Sequence, residues 1–113
     1  MKINYIFLGD RIRKRRKKLG ISQAKLAEFA DLSPTNISHI ERGTTKVSLP
    51  SLVKISNALD TTLDKLICDS LNNSKYIYME EINNLLNDCN QKELYVLTKA
   101  ITTLKDLIRE AYK

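Results

Sequence analysis

The 113 residues predict an all-α chain: five short helices over residues 1–69, a linker at 70–77 and a two-helix hairpin over 78–113. Three observations carry this expectation. Apolar residues recur three and four apart, the period of a helix with one buried face. Ser, or Ser followed by Pro, stands ahead of several of these stretches, and Gly closes two of them. No stretch follows the two-residue period of a strand.

The first helix reads as Leu8–Leu19, with Leu8, Ile12 and Leu19 near one face and Gly20 as its terminator. Ser22 caps a second, Gln23–Ala30, whose Leu26, Ala27 and Ala30 point inward. Asp31-Leu32 makes a short turn. Ser33-Pro34 then starts a third helix: a hydroxyl cap precedes a proline at the first helical position, where its missing N–H costs nothing. This helix runs to about Arg42, stops at Gly43 and buries Ile37 and Ile40; Thr44–Val47 follows as an extended loop. Ser48 caps the fourth helix, with Pro50 in its first turn and Leu52, Val53, Ile55, Ser56 and Leu59 at helical spacing. Thr61 or Thr62 opens a short fifth helix marked by Leu63, Leu66 and Ile67. Beyond the polar stretch Asp69–Lys75, Met79–Cys89 sets Met79, Ile82, Leu85, Leu86 and Cys89 on one face, and Gln91–Ala111 reads as one long helix.

The charge is concentrated. Residues 1–47 hold eleven basic and four acidic side chains, a net +7, whereas the whole chain carries +6. Such asymmetry suits a phosphate-facing surface, because each Lys or Arg reaching a phosphate releases condensed counterions. A solvated basic helix or a surface for anionic lipid has the same composition. No apolar run approaches the roughly 20 residues needed to cross a bilayer, and the N-terminus places apolar residues before its charges, the reverse of a signal peptide. A cytoplasmic protein without membrane contact is expected. Cys68 and Cys89, with only His39 for company, make no zinc pattern and read as two reduced, half-buried thiols. Three scattered glycines form no phosphate-cradling loop, and no nucleophile–base pair is recognisable. Neither an enzyme nor a cofactor is expected.

Two short helices joined by a tight turn, the second polar outside, form the helix-turn-helix pattern. Residues 8–67 resemble the Cro/C1-type (XRE) DNA-binding domain, on Gly20-Ile21-Ser22-Gln23, Leu26-Ala27, Ser33, Ile37-Ser38, Ile40-Glu41-Arg42-Gly43, and Pro50-Ser51-Leu52 through Ala58-Leu59. The resemblance implies a five-helix, lambda-repressor-like fold whose third helix enters the major groove, usually as a dimer on an inverted repeat. It places Gln23 at a phosphate or the outer base of the half-site. Ser33, Pro34, Thr35, Asn36 and His39 fall on the groove side, and Arg42, Thr44, Thr45 and Lys46 at the DNA backbone. It also implies an ion pair between Arg16 and Glu41. Arg15 departs from the family, where an apolar residue is common, and is expected to be more exposed or phosphate-directed.

The chemistry of these side chains agrees with the resemblance. Asn36 offers donor and acceptor together to adenine, Thr35 and the Pro34 ring suit a thymine methyl, and His39 suits a purine N7 or a phosphate. His39 also reads as a solvated surface histidine, and Ser33 as chiefly a cap. In the last helix Leu94, Leu97, Ile101, Leu104 and Ile108 are spaced 3, 4, 3, 4, a seam suited to dimerisation. A DNA-binding domain followed by such a hairpin resembles Sin-type regulators, in which the hairpin also exchanges partners with small antagonist proteins. The expected function is a dimeric, sequence-specific repressor of transcription on double-stranded DNA. The alternative is an antitoxin-like or antagonist protein whose tail binds a protein partner. RNA binding lacks the exposed aromatic platform that single strands need.

Overall fold

A computed structural model describes residues 2–113. They form α1 (Tyr5–Lys18), α2 (Gln23–Ala30), α3 (Pro34–Arg42), α4 (Leu49–Ala58) and α5 (Leu63–Ile67). A 3₁₀ turn (Cys68–Ser70), α6 (Lys75–Leu86) and α7 (Gln91–Ala111) complete the chain. They separate into two compact units, one ending at Ser74 and one spanning Lys75–Lys113. Among the described residues there is no strand, and no helix is long and apolar enough to cross a membrane.

In the first unit the helix starts follow side-chain chemistry. Asn4, Ser22, Ser33 and Ser48 each accept a backbone N–H three residues on, satisfying a donor that the first turn leaves unpaired. Asn4 makes α1 begin at Tyr5, one turn before the expected Leu8. Thr62 occupies the cap position of α5 without a capping bond.

The ends of α1 to α4 share one device. After each, two successive N–H groups turn back onto helix carbonyls, as when Gly20 and Ile21 donate to Lys17 and Arg16 at 3.0 and 3.3 Å. This requires a left-handed residue, supplied by Gly20 and Gly43 at φ +73° and by Asp31 and Asp60 at φ 54° and 51°.

The core gathers Leu8 and Ile12 of α1, Leu26, Ala27 and Ala30 of α2, Ile37 and Ile40 of α3, and Leu52, Ile55, Leu59 and Leu66. Leu19 and Val53, counted into the apolar faces by spacing, stay exposed. Leu19 has already reached the helix end, and Val53 lies about 100° around α4 from the buried Leu52. Gly9 sets the approach of α1 to α3: a Cβ there would stand 2.3 Å from the Ile40 carbonyl oxygen and 2.5 Å from that of Glu41. The same N-terminal half of α1 is tied to the 3₁₀ turn. The Asn4 N–H donates to Ser70 Oγ at 2.9 Å, and the Arg11 guanidinium forks onto both Asp69 oxygens.

The expected linker at 70–77 is shorter in the structure. Ser70 still belongs to the 3₁₀ turn, and α6 starts at Lys75 rather than Met79, taking in the buried Ile77. Ile77 stands two residues before Met79, outside the three-and-four spacing of the expected stripe, so that spacing did not reach the first turn of α6. In the second unit, α6 stops at Leu86, short of Cys89. Asn90 then opens α7 in a reciprocal box: its side chain accepts the Glu93 N–H while the Glu93 carboxylate accepts the Asn90 N–H. No residue of α7 is buried. Neither cysteine is in a disulfide; Cys68 is fully buried rather than half-buried, and Cys89 is half-buried. Local desolvation first, then the Glu93 and Asp88 carboxylates, push the Cys89 thiol above its usual value.

Candidate nucleic-acid interface

The outer face of α3 is built by what its inner face buries. Ile37, Ile40 and Glu41 turn inward, leaving Pro34, Thr35, His39 and Arg42 exposed and Asn36 half-buried. Ser33, at the cap, is exposed, and its Oγ accepts the Asn36 N–H at 3.0 Å. Past Gly43 the loop exposes Thr44 and Lys46 and half-buries Thr45.

Behind this face lies a polar lock. Arg16 Nε and Nη2 donate to the two Glu41 oxygens at 2.7 and 3.0 Å, with the residues 8% and 6% exposed. Arg16 Nη1 also donates to the Ile21 carbonyl at 2.9 Å, and Gln23 Nε2 donates to Glu41 Oε1 at 3.1 Å. Every side-chain donor and acceptor buried here is paired, the condition under which an enclosed ion pair fixes geometry without a large unpaid desolvation cost. The lock joins α1, the α1–α2 turn, the start of α2 and the end of α3, and so sets the tilt of α3 relative to α2.

The sequence-read residues of α3 and its following loop are exposed, apart from the half-buried Asn36 and Thr45. Gln23 differs: half-buried, it commits one amide N–H to Glu41. Arg15 is directed neither to solvent nor to phosphate. Its Nε and Nη2 donate to the Leu59 and Asp60 carbonyls, both at 2.9 Å, and so cap the end of α4, where the helix dipole favours a cation. A contact between residues 44 apart leaves no local sequence signal. At the end of α3, Arg42 Nη2 lies 3.1 Å from His39 Nδ1, and Thr44 Oγ1 donates to the His39 carbonyl at 3.2 Å.

Residues 12–66 match the helix-turn-helix family. Control protein C.BamHI of Bacillus amyloliquefaciens is 49% identical over 55 residues, 48% of this chain and 68% of that protein. Repressor protein C2 of Salmonella phage P22 is 37% identical over 76 residues, 67% of this chain, and the match spans about a third (35%) of the repressor's length. The solved P22 c2 repressor in complex with a synthetic operator superposes with a TM-score of 0.53 at 41% identity, covering 54% of this chain and 92% of that one. The SinR protein/SinI protein complex superposes with a TM-score of 0.52 at 25% identity, covering 88% of this chain and 98% of that one. The chain belongs to the Cro/C1-type (XRE) helix-turn-helix family of DNA-binding transcriptional regulators.

Proposed function

We propose that the chain is a dimeric, cytoplasmic repressor that reads an inverted-repeat operator by laying α3 in the major groove. The observation that carries this is the polar outer face of α3, held rigidly from behind by Arg16, Glu41 and Gln23. On it Asn36 and His39 read base edges, and Thr35 and Pro34 pack on a thymine methyl. The N-terminal turns of α2 and α3, with Gln23 and Ser33, face phosphates, which helix N-termini attract. Arg42, Thr44, Thr45 and Lys46 line the backbone beyond. Repression is the activity that the name of the P22 relative states for that protein.

Two copies are held together by Leu94, Leu97, Ile101, Leu104 and Ile108. Leu97 is half-buried and the other four are exposed, which leaves much of an apolar stripe open along α7. The same stripe favours a second reading, in which the tail binds a small protein antagonist; the solved SinR relative is a complex with SinI protein.

The test begins with duplexes selected by the full chain from a random pool. Asn36→Ala should weaken binding to them by about 1–3 kcal/mol per half-site while leaving random DNA nearly unaffected. With about 6 to 10 phosphates contacted per dimer, log K should fall against log salt with a slope of about −5 to −9. A slope near zero, or equal losses on selected and random DNA, overturns the proposal.

A further inference from the structure

His39 and Arg42 are assigned above to separate tasks, a base and the backbone. Their geometry couples them. A neutral imidazole carries one ring proton, and its position decides whether Nε2 donates or accepts. Two neighbours of Nδ1 pull that proton in opposite directions. Thr44 Oγ1 lies 3.3 Å from Nδ1 and already spends its own proton on the His39 carbonyl oxygen, so it can only accept, which favours a proton on Nδ1. Arg42 Nη2, at 3.1 Å, can only donate, which requires Nδ1 to be bare. The guanidinium is nearer and charged, and hydrogen bonds from ionised donors are the stronger kind. The proton is therefore held on Nε2.

Resting on the DNA-reading role of α3, we propose that Arg42 is a positioning residue. It fixes His39 as a donor through Nε2–H, so that His39 selects an acceptor in the major groove, the N7 of a purine. Without Arg42 the ring proton moves to Nδ1 and Nε2 becomes an acceptor. His39 then suits an exocyclic amino group of adenine or cytosine instead.

The chain has a single histidine, so ¹⁵N-histidine labelling of the full protein gives one imidazole, whose long-range ¹H–¹⁵N spectrum identifies the tautomer without DNA. The expected result is a protonated Nε2 in the native chain, a shift toward protonated Nδ1 in Arg42→Met, and recovery in Arg42→Lys, which still only donates. On selected duplexes, replacing purines one at a time by their 7-deaza analogues should cost roughly threefold to tenfold at one position per half-site. That sensitivity should vanish in both His39→Ala and Arg42→Met. A native spectrum with Nδ1 protonated overturns the inference. So does an Arg42→Met protein that keeps the 7-deaza sensitivity and merely binds every sequence more weakly, since that is the behaviour of a phosphate contact. A native chain that selects no duplex overturns the proposed function and the base-reading step with it, while the spectrum still judges the tautomer.

Discussion

Glu41 keeps its carboxylate at 2% side-chain exposure, so its charge rests on Arg16 and Gln23. Removing one member of a buried ion pair strands the other, at a cost of about 3–5 kcal/mol. Because Gln23 Nε2 stays behind as a donor, Arg16→Ala should fall toward the lower end of that range. Melting without DNA should drop by roughly 10 °C or more. An Arg16→Ala protein of unchanged melting temperature that binds DNA poorly would instead make Arg16 a phosphate contact. The Arg16–Glu41 pair was legible only through family resemblance, since nothing local links residues 25 apart. Gln23 and Arg15 were read less fully for the same reason: their partners, Glu41 and the end of α4, are brought near only by the finished fold.

Helix boundaries were most legible where a side chain marks them. Ser22 and Ser33-Pro34 place the starts of α2 and α3 at the expected residues, and the αL residues Asp31 and Gly43 place their ends. Asn4 is the same signal, overlooked because the apolar Ile6-Phe7-Leu8 obscures a cap ahead of it. The α3 cap also lets stability be separated from recognition. Ser33→Ala should cost about 1 kcal/mol of stability with or without DNA, because it removes the acceptor for the Asn36 N–H. Ser33→Asp keeps an acceptor and suits the positive end of the helix, yet sets a negative charge where a phosphate is proposed to lie. It should melt at or above the native temperature and bind selected duplexes more weakly. Undiminished binding by Ser33→Asp in anisotropy titrations would remove Ser33 from the phosphate contacts.

At the scale of the whole chain, the all-α class was readable from apolar period and punctuation. The division into two units falls at Ser74, later than the start of the expected linker, because Cys68–Ser70 is bound to α1 through Arg11 and Asn4. A chain ending at Ser74 should therefore fold, sediment as a monomer and bind an inverted repeat far more weakly than the full protein. Ile101→Asp with Leu104→Asp should reproduce that loss in the full chain, since each change places a carboxylate in the proposed seam. Sedimentation equilibrium checks both: an unchanged oligomeric state would exclude the tail as the dimeriser. The open α7 stripe, with Leu104 and Ile108 each 57% exposed, also bears on dose. If two copies must meet on it before a two-half-site operator is held, occupancy at low abundance rises with the square of the chain's concentration. A modest change in synthesis then becomes a sharper change in the output of the regulated gene. A protein segment that covered the stripe would move that threshold without touching α3.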